Sequence, residues 1–134
     1  MYPIEKIEGI GKMYGAKLRA AGIKDTGALL KACAKPKDRD TLATSTGLSG
    51  KLILKWANRA DLMRVKGVGE EYADLLEAAG VDTVPELAQR RADNLHAALM
   101  KTQGSKQLVR QPPALKTVEG WIAAAKAMER ALQY

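Results

Sequence analysis

Residues 7–18 read IEGIGKMYGAKL, with glycines at positions 9, 11 and 15 in front of an apolar pattern at helical spacing. Glycines in this arrangement serve one of three purposes. They form the lip of a nucleotide-binding loop, the bend of a motif that grips a nucleic-acid backbone, or a turn that only lets two helices pack. The remainder of the chain has to distinguish these possibilities.

The same stretch recurs 58 positions later in the chain. Residues 7–29 align without gaps on residues 65–87, and the apolar positions Ile7, Ile10 and Ile23 return as valines. The residues that recur identically are Gly9, Gly11, Tyr14, Leu18, Ala20, Ala21, Gly22 and Leu29. Self-similarity of this kind indicates duplication. We therefore predict two domains, residues 1–60 and residues 61–134.

The positive charge of the chain is confined to its first half. The net charge of the 134 residues is +7. Residues 1–60 contain twelve Lys or Arg and five Asp or Glu, whereas residues 61–134 contain ten of each. Charge concentrated in this way indicates an anionic partner for residues 1–60, although a basic surface that only keeps a protein soluble would look the same.

Apolar residues recur at helical spacing, and no segment alternates like a strand, so we predict an all-α fold. Gly22 is expected to end the first helix, Asp25 or Thr26 to cap the second, and Thr83 with Pro85 to begin a later one. The remaining predicted elements are a connector at 35–38, helices at about 39–46 and 50–59 with Ser49 as cap of the latter, a loop at 103–114, and a last helix at about 116–132.

Several functions are disfavoured by what the chain contains. The spacing of Gly9, Gly11 and Gly15 departs from the dinucleotide fingerprint, and the chain has no Walker loop. The single His96 and single Cys33 supply neither a catalytic pair nor a metal site, so we predict no enzyme activity, no cofactor and no metal. Cys33 is expected to be a core thiol. No apolar run approaches the ~18 residues of a membrane span and there is no secretory signal, which favours a cytoplasmic protein without a membrane partner.

The repeated stretch resembles the helix-hairpin-helix motif. Its pattern, hydrophobic-x-Gly-hydrophobic-Gly-x-x-x-small-x-x-Leu, is met by residues 7–18 and by residues 65–76, and residues 46–56 (TGLSGKLILKW) resemble a degenerate second hairpin. Similar tandem domains occur in DNA repair proteins and in the RNA polymerase alpha subunit. The resemblance implies two tandem helix-hairpin-helix domains of the SAM-like or polymerase-thumb-like kind. The whole chain also resembles a family of small bacterial proteins known only as a domain of unknown function.

In the DNA-binding members of this class, hairpin N–H groups and the positive end of the following helix donate to phosphate oxygens. Such contacts read no sequence. Carried over, the resemblance implies nonspecific DNA backbone binding by residues 1–60. The implied residues are Gly9, Ile10, Gly11 and Lys12 at the first hairpin, Leu48, Ser49 and Gly50 at the second, and Lys17, Lys51, Lys55 and Arg59 beside them.

The spacing of Lys51, Lys55 and Arg59 predicts one basic helix face, with Leu52 and Trp56 turned inward. Arg19 is expected near the same surface. The alternative for these cations is a solvated helix face without a ligand.

The second half departs from the DNA-binding pattern. Glu70 and Glu71 stand where Lys12 and Met13 stand in the first half, and Pro112-Pro113 falls where a second hairpin is expected. Carboxylates repel phosphate and prolines cannot donate, so residues 61–134 are predicted to contact protein, either a partner or a second copy. The alternative for the whole chain is therefore a protein-interaction adaptor or scaffold in which all hairpins are packing units.

Overall fold

Helix-forming segments, separated by glycine turns and side-chain caps, account for the architecture of the protein. The structure is a computed structural model that describes residues 1–134. Eight α-helices are present, together with one 3₁₀ turn at Ile4–Lys6 and no strand, so the all-α prediction is confirmed. The helices are α1 (Gly11–Ala20), α2 (Thr26–Ala32), α3 (Pro36–Thr46), α4 (Gly50–Leu62), α5 (Glu70–Ala78), α6 (Val84–Ala88), α7 (Ala92–Lys106) and α8 (Leu115–Ala127).

Two of the predicted caps are confirmed. The Asp25 carboxylate accepts a hydrogen bond from the Ala28 amide at 2.8 Å, and the Ser49 hydroxyl accepts one from the Leu52 amide at 3.1 Å. Each satisfies one of the N–H groups that a helix start leaves without an acceptor. Thr83 precedes α6 as predicted.

Three predicted boundaries are wrong. Residues 35–38 are not a connector, because α3 already begins at Pro36, where the missing N–H of proline costs nothing. α7 continues to Lys106, which shortens the predicted loop at 103–114. α8 ends at Ala127 rather than near Leu132, because the backbone becomes extended at Met128.

The chain divides into two compact units. The first unit comprises Met1–Arg64 and also Arg130–Tyr134, and the second comprises Val65–Glu129. No pattern in the sequence predicted that residues 130–134 return to the first unit. Whether residues 1–60 and 61–134 fold as independent domains stays a prediction.

Each unit has its own apolar core, and the repeated positions of the sequence lie in it. The buried repeated residues of the first unit are Ile7, Ile10, Leu18, Ile23 and Leu29, and those of the second are Val65, Val68, Leu76, Val81 and Leu87. Cys33 is fully buried, which confirms a core thiol.

The same local geometry occurs in both units. Gly9 and Gly67 each have a φ of +90°, in the left-handed region that glycine adopts without strain. The ring centroids of Tyr14 and Trp56 lie 5.2 Å apart and tilted at 53°. Those of Tyr72 and Trp121 lie 5.1 Å apart and tilted at 58°. The repeat in sequence is therefore also a repeat of the first glycine conformation and the aromatic pair, whereas the second glycines differ, with a φ of +59° at Gly11 and −92° at Gly69.

Candidate nucleic-acid interface

The first glycine turn is held against the middle of α4. A Cβ atom at Gly9 would lie 3.8 Å from the indole Nε1 of Trp56. Gly11 also has a positive φ, of +59°. Ile10, between the glycines, is buried and its N–H donates to the Ile7 carbonyl at 3.2 Å. Ile10 is therefore the apolar plug of the turn, and its amide is already used within the chain.

The start of α1 offers free donors and no negative charge. Gly11, Lys12 and Met13 form its first turn, whose N–H groups have no intrahelical acceptor. No side chain caps this end, the first turn contains no acidic residue, and Lys12 and Met13 are exposed. Together with the helix dipole, this end attracts anions.

The second turn connects α3 to α4. Gly47 adopts a left-handed φ of +73°, and Leu48 is buried with its amide donating to the Thr46 hydroxyl at 3.3 Å. Leu48 is therefore a second plug rather than a free donor. The Ser49 hydroxyl oxygen caps Leu52, which leaves the hydroxyl hydrogen and the amides of Gly50 and Lys51 facing outward at the start of α4.

Lys17 lies beside the second turn, although in sequence it follows the first. It lines a shallow depression together with Ala20, Ala21, Ser45 and Thr46. The last two of these immediately precede Gly47. α1 thus contributes its first turn to one candidate contact and an exposed lysine to the other.

The predicted cationic face of α4 is only partly present. Lys51 and Lys55 are exposed, but Arg59 retains only 5% of its accessible surface. The prediction that Arg59 lines the exposed face is wrong, because the second half of α4 is buried on most sides. Ile53, rather than Leu52, accompanies Trp56 in the core.

Arg19 does not extend freely from α1. Its guanidinium donates two hydrogen bonds to the Glu5 carboxylate, at 2.8 and 2.7 Å. These bonds, with a backbone hydrogen bond within Glu5, lower the pKa of that carboxyl to about 2. Arg19 thereby joins the 3₁₀ turn to α1, and its charge is largely neutralised.

The corresponding helix start in the second unit is occupied by acidic side chains. α5 begins with Glu70 and Glu71 behind Gly69. The Glu71 carboxylate accepts hydrogen bonds from the Arg110 amide at 3.3 Å and from its guanidinium at 3.1 Å. This end is already complemented by negative charge from its own first turn.

Net charge follows the same division. The first unit contains fourteen Lys or Arg and six Asp or Glu, whereas the second contains eight and nine. The first unit is therefore +8 and the second −1. An anionic ligand is attracted to the basic unit, which also carries the unopposed helix starts of α1 and α4.

A family model described as a domain of unknown function, DUF4332, matches residues 8–128. The chain belongs to the DUF4332 family. The match spans both glycine turns and all eight helices, and it ends before residues 130–134. No curated protein and no solved structure gives a significant match to the chain. The family description states no activity, so the chemistry of this DUF4332 chain rests on its own residues.

The DUF4332 chain contains no group of three or more His, Cys, Asp or Glu side chains placed to hold a metal ion. His96 is half-buried and its Nε2 lies 3.1 Å from the Pro113 carbonyl, which gives it a structural role. Burial raises the pKa of the Cys33 thiol to about 12, which is the opposite of what a nucleophile needs. No helix combines the length and apolar character required to cross a membrane.

The last predicted helix, α8, offers first-turn N–H groups that the sequence-based prediction did not consider. α8 begins with Leu115, Lys116 and Thr117, all exposed, and its first turn contains no acidic residue. The adjacent prolines, Pro112 and Pro113, suggested a segment without donors. They lie before the helix, however, so they remove none of its first-turn N–H groups.

Proposed function

We propose that the first unit binds the DNA backbone without sequence preference and without catalysis, using the helix starts of α1 and α4. The donors are the amides of Gly11, Lys12, Gly50 and Lys51 and the hydroxyl of Ser49. Phosphate contacts of this type position a protein on DNA and carry no base information. Gly9 and Gly47 permit the two bends, and the buried Ile10 and Leu48 fill them from beneath.

The observation that carries the proposal is the contrast between α1 and α5. The two helices follow turns that share a left-handed first glycine and a Tyr–Trp pair, although Gly11 has a φ of +59° and Gly69 a φ of −92°. Yet α1 begins with exposed Lys12, and α5 begins with Glu70 and Glu71. The first glycine and the aromatic pair serve the fold in both units, so we assign the ligand preference to the helix start, where the charge and the conformation of the second glycine both differ.

The resemblance to helix-hairpin-helix motifs supports the same conclusion. In that reading, α1 with its preceding turn and α4 with its preceding turn form a tandem pair within one basic unit. Lys17 and Lys55 extend the positive surface beside these turns. Lys51 contributes both an amide and a charged side chain at the start of α4.

A salt titration tests the proposal directly. Binding to fluorescent double-stranded and single-stranded DNA is measured by anisotropy at increasing salt, with a protein-free control. Three to six phosphate contacts give a log–log slope of roughly −3 to −5. A flat dependence, or no binding at low salt, would exclude the proposed backbone contact.

Charge reversal locates the site. Lys12→Glu combined with Lys55→Glu is expected to abolish DNA binding while the helical circular dichroism signal persists. The matched control is Lys24→Glu combined with Lys31→Glu, which makes the same change in net charge at exposed positions outside residues 9–12 and 47–51. Equal losses in the two double variants would attribute binding to net charge rather than to the helix starts.

A protein-interaction role is the second candidate, and the second unit favours it. The start of α5 is occupied by Glu70, Glu71 and the Arg110 contact. In that unit the glycine turn therefore serves only the packing of the helices. This role is tested by a pull-down with the intact chain. A stoichiometric protein partner that contacts residues 65–129, together with no DNA binding at low salt, would favour this role for the whole protein.

A further inference from the structure

Residues Arg130–Tyr134, here called the return segment, bind the first unit in the manner of a short extended peptide. The Gln133 amide donates to the Ala34 carbonyl at 2.7 Å. The Leu132 side chain is 2% exposed, whereas Gln133 on its far side is exposed. One backbone hydrogen bond and one buried apolar anchor are the elements by which extended peptides are recognised.

Tyr134 makes further contacts at the surface of the first unit, with 57% of its accessible surface exposed. The guanidinium carbon of Arg39 lies over the Tyr134 ring, 5.7 Å from the ring centroid, and the guanidinium carbon of Arg130 lies 5.5 Å from the same centroid. The Tyr134 hydroxyl is 2.6 Å from the Asn58 carboxamide oxygen and donates to it. The aromatic ring thus makes cation–π contacts and its polar end makes a hydrogen bond.

These contacts join α3 to α4 at the end opposite the second turn. Arg39 precedes Gly47 by eight residues, and Asn58 follows Ser49 by nine. At the helical rise per residue, both contacts lie about 12–14 Å from the turn that joins the two helices. The turn closes one end of the packed α3–α4 pair, and the return segment closes the other.

Arg39 is itself fixed from both sides. It is 7% exposed, and its guanidinium donates to the Cys33 carbonyl at 2.9 Å while covering Tyr134. The return segment therefore rests on a residue that also holds the end of α2. Loss of the segment would free one side of Arg39 and the polar group of Asn58 together.

We infer that the first unit contains a peptide socket for an extended segment of the pattern Arg-x-Leu-x-Tyr, filled in cis by residues 130–134, and that its occupancy sets the phosphate affinity of the turn at residues 47–50. The second part rests on the proposed function. With the socket filled, the α3–α4 pair is closed at both ends and the donors of Ser49, Gly50 and Lys51 keep one orientation. With the socket empty, the pair keeps its own packing and the turn but loses the contacts that close its other end.

The return segment follows α8 in the chain after a short non-helical link. α8 ends at Ala127, and Met128 has an extended backbone with φ of −92° and ψ of 141°. A two-residue link, Met128–Glu129, separates the helix from the return segment. Short linkers give a high effective concentration, so the segment occupies its socket in cis until the link is cut or a competing peptide is in large excess.

Peptide exchange tests the socket without reference to DNA. A protease site is inserted between Met128 and Glu129 of the full chain, and the folded protein is cut. The uncut protein is the matched control. A fluorescent peptide with the sequence of residues 129–134 is expected to bind saturably to the cut chain and much more weakly to the uncut one. The same peptide carrying Leu132→Asp is expected to bind at least about tenfold more weakly, because it would bury a charge.

If the two peptides bind the cut chain equally, or if the wild-type peptide binds the cut and uncut chains equally, the proposed socket is wrong. Should the inserted site impair folding, Tyr134→Phe in the unmodified chain keeps the socket testable. It removes only the hydroxyl that reaches Asn58, and hydrogen exchange of the α4 amides is expected to become faster. Unchanged exchange in α4 would contradict the closure of the α3–α4 pair.

The link to phosphate binding is tested in the full chain by comparing Leu132→Asp with Gln133→Glu. Both add one negative charge in the return segment, but only the first disturbs a buried anchor. Leu132→Asp is expected to weaken DNA binding at least about fivefold more than Gln133→Glu, because an aspartate cannot occupy the buried site. Equal binding by these variants would overturn the coupling. Absence of DNA binding by the wild-type chain would instead refute the proposed function, and peptide exchange would still decide the socket.

Discussion

Replacing Ser49 by aspartate separates helix stability from phosphate binding at the start of α4. The Ser49 hydroxyl accepts the Leu52 amide at 3.1 Å and is exposed. An aspartate keeps this acceptor and adds a negative charge at the positive end of the helix. We expect the free energy of unfolding to be unchanged or raised by about 0.3–1 kcal/mol. Ser49→Ala, which loses the cap, should lower it by about 1 kcal/mol.

We expect Ser49→Asp, the more stable of the two variants, to bind DNA more weakly than Ser49→Ala. In Ser49→Asp a carboxylate stands where a phosphate is proposed to bind. Two like charges about 4 Å apart repel by about 1 kcal/mol in water and by about 4 kcal/mol at an effective dielectric constant of 20. We therefore expect the dissociation constant to rise at least about fivefold, which corresponds to the lower value. Ser49→Ala removes one hydroxyl donor and should weaken binding less than Ser49→Asp.

Urea unfolding followed by circular dichroism gives the stability, and salt-dependent anisotropy gives the affinity. Gln111→Glu serves as the charge control, because the Gln111 side chain is exposed in the second unit. The Tyr72 hydroxyl donates a hydrogen bond to the backbone carbonyl of Gln111, which the substitution leaves in place. If Ser49→Asp binds DNA with the same affinity and salt slope as Gln111→Glu, the start of α4 does not contact phosphate and the proposed second site is wrong.

Three further predictions concern the first unit. Hydrogen bonds from Arg19 lower the pKa of Glu5 from 4.5 to about 2, so this pair stabilises the fold fully above about pH 4.5 and progressively less as the pH falls toward 2. Glu5→Gln should therefore reduce the pH dependence of the urea unfolding midpoint between these two pH values. A variant whose midpoint depends on pH as the wild type does would contradict the pairing. Gly15→Ala places a Cβ 2.6 Å from the Glu5 carboxylate oxygen and should destabilise the chain by about 1 kcal/mol in thermal unfolding, whereas a stabilised variant would show that Glu5 moves aside freely. Cys33, with its pKa raised to about 12 by burial, should resist iodoacetamide near neutral pH in the native chain and react once denaturant is added; rapid native alkylation would contradict its burial.

Much of the local structure was predictable because it depends on residues close together in the chain. The glycine turn at Gly9 and its repeat at Gly67 require a left-handed backbone, which only glycine adopts without strain. The Ser49 cap similarly involves an amide three residues away. These features reflect local conformational energies, and the sequence pattern was sufficient to predict them.

Assignments on helix faces succeeded only in part. Lys51 and Lys55 are exposed as predicted, but Arg59, one further step along the same spacing, is buried. Spacing by four places residues on one face, but it does not tell where neighbouring elements cover that face. Arg19 and Lys17 illustrate the same point, because the first pairs with Glu5 and the second lies beside Ser45.

The helical composition, the duplicated glycine turns and the concentration of positive charge in the first half follow from the amino-acid sequence alone, since each is a property of neighbouring residues or of simple counts. The accessibility of amides and cations, and the return of residues 130–134 to the α3–α4 pair, depend instead on how the elements pack. The contact between Tyr134 and Asn58 spans 76 residues. No local preference encodes such a contact, because it depends on the packing of elements that are far apart along the chain.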